Sequence, residues 1–502
     1  MRGADDAVQQ LGDGKPALVW RTIVADCDTP VGAATKLMQP ERGDFLLESV
    51  EGGEIRGRYS LLGLDPDLLF RSVDGRPAIN RQWQHDRDAF EGLDGSALAQ
   101  LRGLVIACKI DVPDGLPPAL ACLVGYFAYE TIGEVETVTR AKGEGLDLPD
   151  MVFVRPTVLL VFDSLSDELH CIAPIWASPV SPEHTVAKAH DRIDETLRQL
   201  ALGQPTSPGP LASEGETDLT PQPMMKPGEY ASMVAQAKDY IVAGDVFQVV
   251  LSQRYSAPFT LPPLALYRAL RRVNPSPFLY FLDLPGFAVV GSSPEILVRV
   301  RNDEVTIRPI AGTRPRGATP EEDRAAEESL LADAKERAEH LMLLDLGRND
   351  VGRVARRGTV EVTDSYTVER YSHVMHIVSN VVGQLDDRYD AVDALFAGFP
   401  AGTVSGAPKL RACEIIAELE HDRRGPYAGG VGYFSPDGSV DSCIVLRTGV
   451  VKDGRLHVQA GAGIVADSDP VYEERECEAK AGALFAAARE AVRVASEVDY
   501  GQ

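Results

Sequence analysis

The sequence predicts an α+β fold, in which antiparallel sheet packs against helices. Strand-like segments follow directly on one another in "MVFVRPTVLLVFDSL" (151–165) and in "GFAVVGSSPEILVRVRNDEVTIRPIAGTR" (286–314). Strands joined by short connections pair antiparallel, whereas parallel strands need a long crossover between them. Helical patterns do not follow each strand in turn, so a doubly wound parallel sheet is not indicated. The chain also shows no fixed-period repeat.

The composition is typical of a soluble globular protein with a sizeable core. Of the 502 residues, 44% are hydrophobic and 25% are charged, with a net charge of −25. This charge argues against nucleic acid or an anionic membrane as a partner, because both require a basic surface. The chain has no 18-residue apolar run, and its first 20 residues lack the apolar region of a secretory signal. The seven cysteines are scattered without a CxxC pair, which predicts a reduced, cytoplasmic location.

A segment rich in Pro, Gly, Ser and Thr divides the chain. It follows a predicted helix, "EHTVAKAHDRIDETLRQLAL" (183–202), and reads as a linker or a long surface loop. We therefore predict an N-terminal region at 1–204, a linker at 205–224 and a C-terminal region at 225–495.

The predicted C-terminal helix "DPVYEERECEAKAGALFAAAREAV" (469–492) directs carboxylates toward the core. At about 100° per residue, Glu473, Glu476 and Lys480 fall on one stripe that continues into the apolar face. Glu474 and Glu478 fall on the opposite, solvent-facing side. The alternative is an ordinary charged helix start that complements the helix dipole. Two inward carboxylates need a partner, such as Lys480 or a divalent cation.

A second helix shows the same arrangement. We predict that it begins at Thr319, which forms a capping box with Glu322, and that it continues through "AEHLMLLDLGRND" (338–350). Glu336 and Glu339 lie three residues apart on its inward face, although surface lysines could also neutralise them. Two inward Glu-x-x-Glu pairs would form a four-carboxylate cradle. Oxygen ligands without His or Cys select a hard cation, of which Mg²⁺ is the simplest choice.

Two glycine-containing segments could donate backbone N–H groups to an anion. "QAGAGIVAD" places Gly461 and Gly463 in a predicted strand-end turn, and "PIAGTRPRG" ends a strand at Gly312, Thr313 and Arg314. Glycine allows close backbone approach to a carboxylate. Either segment could equally be an ordinary turn.

Three further side chains could take part in chemistry. Arg447 lies in a predicted apolar strand, where it should pair either with a carboxylate ligand or with an internal acid. Glu295 follows Pro294 and could act as a general acid if it is desolvated, or could be a turn carboxylate. His376 lies on a predicted strand, where a core role is the common alternative.

Ten collinear motifs between residues 227 and 492 together carry a specific resemblance. They include "GDVFQVVLSQR", "GSSPE", "PIAGTR", "AEHLMLLDLGRND", "FPAGTVSGAPK", "AGAGIV" and "DPVYEERECEAK". The C-terminal region resembles the chorismate-binding enzymes, which include anthranilate, aminodeoxychorismate, isochorismate and salicylate synthases. The resemblance implies an interlocked two-part body, built on antiparallel sheets that pack together and are flanked by helices.

The resemblance implies a magnesium-dependent site that binds chorismate. Glu339 and Glu476 resemble the Mg²⁺ ligands, with Glu336 and Glu473 in support through water. The metal would hold the ring carboxylate of chorismate. The resemblance implies that the same carboxylate is bound by Thr313, Gly461, Ala462, Gly463 and Lys480. It also implies a catalytic role for Lys480.

The remaining implied roles concern the enolpyruvyl group and the reaction itself. Arg447 and Tyr427 resemble the residues that grip the enolpyruvyl carboxylate. Glu295 would protonate the departing C4 hydroxyl, and His376 would assist the loss of pyruvate. Thr403 would line the pocket.

Two positions discriminate within the family. Aminodeoxychorismate synthases commonly carry a nucleophilic lysine at the position of Ala311, and alanine cannot act as a nucleophile. Enzymes that add water carry a lysine base at the position of Gln248, whereas ammonia already has a nucleophilic lone pair. Both positions favour an anthranilate synthase activity. The alternative within the family is an aminodeoxychorismate synthase that lacks the lysine.

The ammonia must come from another protein. No cysteine lies in the glycine-flanked turn typical of a glutaminase nucleophile. The resemblance therefore implies a separate glutamine amidotransferase subunit and a hetero-oligomer.

A feedback site for tryptophan is also implied. "FLLESVEGGEIRGRYSLLG" (45–63) resembles the family's inhibitory element, with Glu48 and Ser49 in the usual places. "NPSPFLYF" (274–281) resembles its partner segment and includes Pro277, Phe278 and Leu279. From the residues alone, "FLLES" is a strand that ends in polar residues. A non-catalytic, tryptophan-sensing protein with the same fold is the alternative of a different class.

Overall fold

The computed structural model describes residues 3–51, 55–139, 141, 143–176, 181–203, 219–371 and 374–496. Residues 205–218 of the predicted linker lie outside the described residues, so the division of the chain at 205–224 stays a prediction. None of the helices described here has the length and apolar sequence of a membrane span.

The described residues form eleven α-helices, which are distributed along the chain between the strands. Their bounds are α1 (Ala4–Gly12), α2 (Pro30–Leu37), α3 (Ala97–Ala107), α4 (Pro182–Leu200), α5 (Glu229–Ala243), α6 (Pro263–Val273), α7 (Pro320–Ala332), α8 (Ala334–Gly352), α9 (Ala391–Ala397), α10 (Lys409–Leu419) and α11 (Pro470–Ser496). Two 3₁₀ helices cover Tyr129–Glu134 and Gly402–Val404.

The strands occur in both regions of the chain. Their bounds are β1 (Ala17–Val24), β2 (Asp44–Glu51), β3 (Ile55–Leu64), β4 (Leu68–Val73), β5 (Arg76–Asn80), β6 (Glu91–Gly92), β7 (Leu123–Phe127), β8 (Met151–Arg155), β9 (Val158–Asp163), β10 (Glu168–Ile175), β11 (Gln222–Pro223), β12 (Gln248–Pro258), β13 (Phe278–Leu284), β14 (Phe287–Ser293), β15 (Ile296–Arg301), β16 (Glu304–Ile307), β17 (Ile310–Pro315), β18 (Glu361–Arg370), β19 (Val374–Gln384), β20 (Gly406–Ala407), β21 (Gly430–Phe434), β22 (Val440–Ile444), β23 (Thr448–Lys452) and β24 (Arg455–Ile464).

These strands form two antiparallel sheets of 12 strands each. The first runs β1-β10-β9-β3-β2-β13-β14-β23-β24-β12-β11, with β20 paired to β12. The second runs β17-β19-β16-β15-β22-β21-β7-β8-β4-β5-β6, with β18 paired to β19. The α+β prediction is therefore confirmed.

Each sheet combines strands from both sides of the predicted linker. In the first sheet β2 pairs with β13, so that Phe281 lies opposite Leu46. In the second sheet β7 pairs with β21, so that Tyr126 lies opposite Val431. The two regions therefore complete one another's sheets, as the implied interlocked body requires.

The sheets pack face to face, with helices on the outside. Tyr126 of β7 packs edge-on against Phe287 of β14, with ring centroids 5.9 Å apart. Both faces contribute side chains to one apolar cluster, which excludes water from the space between the sheets. Outside the sheets, α11 packs on β24 and α6, while α8 packs on β17 and β19.

The helix predicted from Thr319 is two helices. Its capping box is confirmed, because Thr319 accepts from the Glu322 amide and Glu322 reaches back to the Thr319 amide. The helix is broken at Asp333, whose carboxylate accepts from the amides of Lys335 and Glu336. Asp333 thus caps a second helix and starts α8 just before its two inward carboxylates.

Candidate active site

The Glu-x-x-Glu pairs of α8 and α11 lie close enough to interact. The pKa of Glu339 is raised, mainly by burial and then by the charge of Glu336, with a smaller contribution from Glu476 across the gap. The Gln248 side chain, at the start of β12, hydrogen-bonds to Glu339 and opposes this shift. Burial likewise raises the pKa of Glu473. The fold therefore brings carboxylates from two helices and one amide together.

Two of the four carboxylates are held by cations of the protein itself. Glu476 accepts from Lys480 Nζ at 2.7 Å, and Glu336 accepts from Arg314 Nη1 at 3.0 Å. Among the described residues, no group of three or more His, Cys, Asp or Glu side chains is placed to hold a metal ion. The four carboxylates thus do not form a ready-made cage.

The donor set nevertheless fits Mg²⁺. This ion keeps several waters and uses one or two carboxylates together with ligand oxygens. Glu339 and Glu476 supply such a pair. The buried Gln248 Oε1 has no hydrogen-bond partner among the described residues, so it provides an orphaned acceptor beside them. The assignment of ligands stays a prediction.

The predicted turn at Gly461 and Gly463 is instead part of a strand. Both glycines lie inside β24, opposite Ser252 and Val250 of β12. A Cβ at Gly461 would lie 2.7 Å from the Tyr427 hydroxyl, and a Cβ at Gly463 would lie 2.3 Å from Gln248 Nε2. A larger residue at Gly461 would also lie 2.8 Å from the Leu251 carbonyl oxygen, so glycine is needed there, whereas a larger residue at Gly463 would displace the Gln248 amide.

Lys480 is more exposed to solvent than its predicted position on the inward-facing stripe of the helix indicates. About half of its side chain, 49%, is accessible to solvent, while Glu473 on the same stripe is buried. Its Nζ nevertheless donates to the Gly461 carbonyl at 2.9 Å. Lys480 thus ties α11 to the strand that lines the site.

The predicted turn at 312–314 is a bulge within β17. The register with β19 shifts between Ala311 and Thr313, and Gly312 has a φ of 68°, which glycine adopts without strain. The bulge turns the Gly312 carbonyl toward His376. The predicted ability of this segment to donate to a ligand stays untested.

His376 is held in one tautomer by this bulge. Its Nδ1 lies 2.9 Å from the Gly312 carbonyl oxygen and 3.1 Å from Thr313 Oγ1. Because a carbonyl can only accept, Nδ1 must carry the proton, which leaves the lone pair on Nε2. Burial lowers the pKa of His376, so the imidazole is neutral near pH 7.

Glu295 is buried in the connection between β14 and β15, with 7% of its surface exposed. Burial raises the pKa of Glu295 to about 8, and the nearby Thr403 hydroxyl opposes this shift only partly. Glu295 is therefore protonated at neutral pH, as a general acid must be. This environment favours the general-acid interpretation over that of an ordinary turn carboxylate.

Arg447 does not lie in a strand, contrary to the prediction. It occupies the connection between β22 and β23 with a φ of 46°. Burial lowers its pKa, and no carboxylate among the described residues opposes that shift. Within the described part of the chain an internal acid is therefore not found, which leaves a carboxylate from a ligand as the alternative. Its charge also depresses the pKa of the nearby His376.

The residues of the implied inhibitory element come together elsewhere. Phe278 lies opposite Ser49, and Leu279 lies opposite Glu48, in the pair of β2 and β13. With Pro277, they line a cavity of about 850 Å³ between the sheets. Glu48 itself is held by Arg271 at 2.8 Å and by the Tyr267 hydroxyl at 2.6 Å.

Sequence reasoning missed some residues of the site. The ring centroid of Tyr371 lies 5.6 Å from that of His376, and Tyr371 also lines the cavity beside Glu48. Ser468 opposes the pKa shift of Glu473 from the turn before α11. The capping residue of α11 is Asp469, which accepts from the Tyr472 amide, and Ser468 could have been found only as the small polar residue next to that cap. Nothing in the local pattern singles out Tyr371.

Known proteins are similar in sequence to this one over nearly the whole chain. The sequence profile described as "chorismate binding enzyme" matches residues 46–486. The chain belongs to the chorismate-binding enzyme family. Within this family it is 52% identical over 483 residues to anthranilate synthase component 1 of Cereibacter sphaeroides, with 95% of each chain covered. It is 47% identical over 470 residues to the protein of that name from Thermus thermophilus, covering 93% of this chain and 96% of the relative.

A solved family structure has the same fold. Anthranilate synthase component I from Streptococcus pneumoniae superposes with a TM-score of 0.74 at 36% identity, covering 86% of this chain and 92% of that one. Family membership, predicted from the motifs, is thus confirmed. The roles of the individual residues stay predictions.

Proposed function

We propose that this chain is the ammonia-using subunit of an anthranilate synthase, which converts chorismate and ammonia to anthranilate, pyruvate and water. The observation that carries the proposal is the 52% identity, over 95% of both chains, to a curated anthranilate synthase component 1. Two positions support it. Gln248 is a neutral amide where a water-activating base would stand, and Ala311 is a buried, unreactive residue where a nucleophile would stand.

The buried groups suit the two stages of this reaction. In the first, ammonia adds at C2 of the ring, and protonated Glu295 gives its proton to the departing C4 oxygen, which leaves as water. In the second, the neutral Nε2 of His376 takes the C2 proton while pyruvate is eliminated and the ring becomes aromatic. Arg447 and the Tyr427 hydroxyl hold the enolpyruvyl carboxylate throughout.

The ring carboxylate would lie between the magnesium site and the Lys480 ammonium. Glu339 and Glu476 would hold Mg²⁺, with Glu336 and Glu473 in support through water. When bound, the ion supplies positive charge that binds the ring carboxylate and balances the four acids. The backbone at 461–463 and the Lys480 ammonium seat the same carboxylate.

An exposed apolar patch near this site suits docking of the glutaminase subunit. We define the mouth patch as Val242, Phe247, Leu410, Val471 and Tyr472, all of which are exposed. Phe247 is 74% exposed and directly precedes Gln248. Lys238 Nζ of α5 donates to the Ser468 carbonyl before α11 at 2.6 Å, so α5, which carries Val242, lies beside the start of α11, which carries Val471 and Tyr472. An ammonia source docked here would adjoin the amide that contacts Glu339.

The cavity beside Glu48 suits tryptophan as a feedback inhibitor. Its apolar walls accept an indole ring, and Ser49 and backbone groups at its edge can bond the amino acid. Binding there would bias the packing of β2 against β13, and so of one region against the other.

The first test is a fluorescence assay of the purified chain with chorismate and ammonium at alkaline pH, with Mg²⁺ or EDTA. A blue-fluorescent product that needs ammonium and Mg²⁺, formed with equimolar pyruvate, supports the proposal. A non-fluorescent amino product without pyruvate indicates aminodeoxychorismate synthesis instead. No consumption of chorismate indicates the tryptophan-sensing alternative.

The partner is tested in the same assay with glutamine and an added glutaminase subunit. Val242→Asp, which places a charge in the mouth patch, should abolish glutamine-dependent turnover and spare ammonium-dependent turnover. Equal loss of both activities would contradict docking at this patch.

A further inference from the structure

A buried ion pair lies behind the active site. Glu420, at the end of α10, is 4% exposed, and Arg424 is 2% exposed. The guanidinium donates to both carboxylate oxygens, with Nε to Oε2 at 2.8 Å and Nη2 to Oε1 at 2.6 Å. A buried pair costs desolvation that its attraction often only balances. Stability alone is therefore a weak reason for this pair.

The free donors and acceptors of the pair reach two backbone segments. Arg424 Nη2 donates to the Val250 carbonyl at 2.7 Å, and Nη1 donates to the Val404 carbonyl at 2.7 Å. Glu420 Oε1 accepts from the Ser252 amide at 2.8 Å. Val250 and Ser252 lie on β12, opposite Gly463 and Gly461 of β24. The pair thus joins the strand that begins at Gln248 to the 3₁₀ helix that contains Thr403.

The guanidinium also lies against two tyrosine rings. Its Cζ is 4.6 Å from the ring centroid of Tyr129 and 5.6 Å from that of Tyr427. The Arg424 backbone is itself fixed, because its amide donates to Glu130 Oε1 at 2.7 Å. One side chain therefore contacts three segments that carry Gln248, Thr403 and Tyr427.

We propose that Arg424, oriented by Glu420, is a positioning residue that sets the relative placement of Gln248, Thr403 and Tyr427 around the substrate. The planar guanidinium can bond a carboxylate and two diverging carbonyls at once, whereas a lysine ammonium cannot span them. This inference rests on the proposed function for its kinetic consequence. It assigns Arg424 no contact with the reacting atoms.

The test compares two variants with a matched control. Arg424→Lys keeps a positive charge opposite Glu420 but loses the planar guanidinium that bonds the carboxylate and both carbonyls. Arg424→Met combined with Glu420→Leu removes both charges, so no unpaired charge is left buried. The control, Arg155→Met with Asp67→Leu, removes another bidentate pair, whose two bonds are each 2.8 Å, from β8 and the turn before β4.

We expect both Arg424 variants to fold and to lose roughly 10- to 100-fold in kcat, with less change in KM for chorismate. The control should keep kcat within about threefold of the wild type. The inference is overturned if the double variant recovers wild-type kcat, or if Arg424→Lys is fully active. Should the double variant not fold, the kcat of Arg424→Lys decides.

Amide hydrogen exchange tests the inference without turnover. Exchange at 248–252 and at 402–406 should accelerate in the Arg424 variants and not in the control. Unchanged exchange would contradict positioning. If wild-type protein fails to convert chorismate, the proposed function fails, and this measurement still tests the contact.

Discussion

The active site and the cavity beside Glu48 differ in how their charged side chains are paired. In the active site, Arg447 has no carboxylate partner and the buried Gln248 Oε1 has no hydrogen-bond partner among the described residues. In the cavity, Glu48 is paired with Arg271. Among the described residues, the other ion pairs at the cavity wall are Arg58–Asp163, Arg299–Asp441, Arg301–Asp441, Arg308–Glu369, Arg370–Asp323 and Arg370–Glu327. The active site thus has an arginine whose charge a ligand would balance, whereas each charged side chain named at the cavity wall already has an ionic partner within the protein, which suits a zwitterion with an apolar body.

The largest expected effect is at Glu295. Glu295→Gln removes the buried acid and should lower kcat roughly 10²- to 10⁴-fold. Because the acid must be protonated, wild-type kcat should fall as the pH rises through about 8, and this fall should be absent from the variant. The check is kcat against pH at saturating ammonia. Asp163→Asn at the cavity is the control, and an equal loss there would remove the contrast.

Arg447 and Arg271 should respond with opposite effects on stability. Arg447→Met should lower kcat/KM roughly 100-fold, because a substrate carboxylate loses its partner. It should not lower the free energy of unfolding, since it removes a half-buried charge that no carboxylate among the described residues balances. Arg271→Met should cost about 3 kcal/mol, because Glu48 is left buried and unpaired. Urea denaturation of both variants is the measurement, and a destabilised Arg447→Met would contradict the comparison.

Glu48→Gln should weaken inhibition by tryptophan. The amide keeps the shape of the carboxylate but loses the charge that holds Arg271 across β2 and α6. We expect the half-inhibiting tryptophan concentration to rise about tenfold, measured in the ammonium assay. If the half-inhibiting concentration stays at the wild-type value, tryptophan does not bind in this cavity.

The smallest expected effect is at Asp283, on β13 near the end of the cavity strands. Burial raises its pKa to about 7, so the folded protein binds this proton more tightly than the unfolded chain does. Its contribution to stability is therefore complete below about pH 4 and is lost as the pH rises toward 7. Asp283→Asn should remove this slope and gain about 1 kcal/mol at pH 8. Denaturation at pH 5 and pH 8 checks it, and an equal effect at both values would contradict it.

Local patterns predicted the elements that local physics determines. The capping box at Thr319 and the start of α11 follow from residues close in sequence, and both were predicted, whereas α11 runs four residues beyond the predicted end, to Ser496. The break at Asp333 was missed, because an acid in a charged helical segment also fits a continuous exposed face. The capping role depends on which amides lie free, and that depends on how α7 and α8 pack.

The site was predicted less completely, because its parts meet through long-range pairing. Gly461 and Gly463 looked like turn residues, yet the space at these positions is limited by Gln248, Leu251 and Tyr427 in other segments. Arg447 looked like a strand residue because its neighbours are apolar. The two Glu-x-x-Glu pairs, and their meeting in one cradle, were predicted from helical spacing, and the resemblance to a family added which of the four carboxylates would bind Mg²⁺ directly. The interlocking of the sheets likewise came from the resemblance and not from any local pattern.

The exchange of strands between the two regions has a consequence for synthesis on the ribosome. β2 is made early, but its partner β13 follows more than 200 residues later, which corresponds to roughly 10 to 50 s of translation. During that time the nascent N-terminal region exposes an unpaired strand edge and the apolar face that will contact the other sheet. We expect chaperone capture of the growing chain, measured by ribosome-associated crosslinking, to persist until β13 and β21 have emerged.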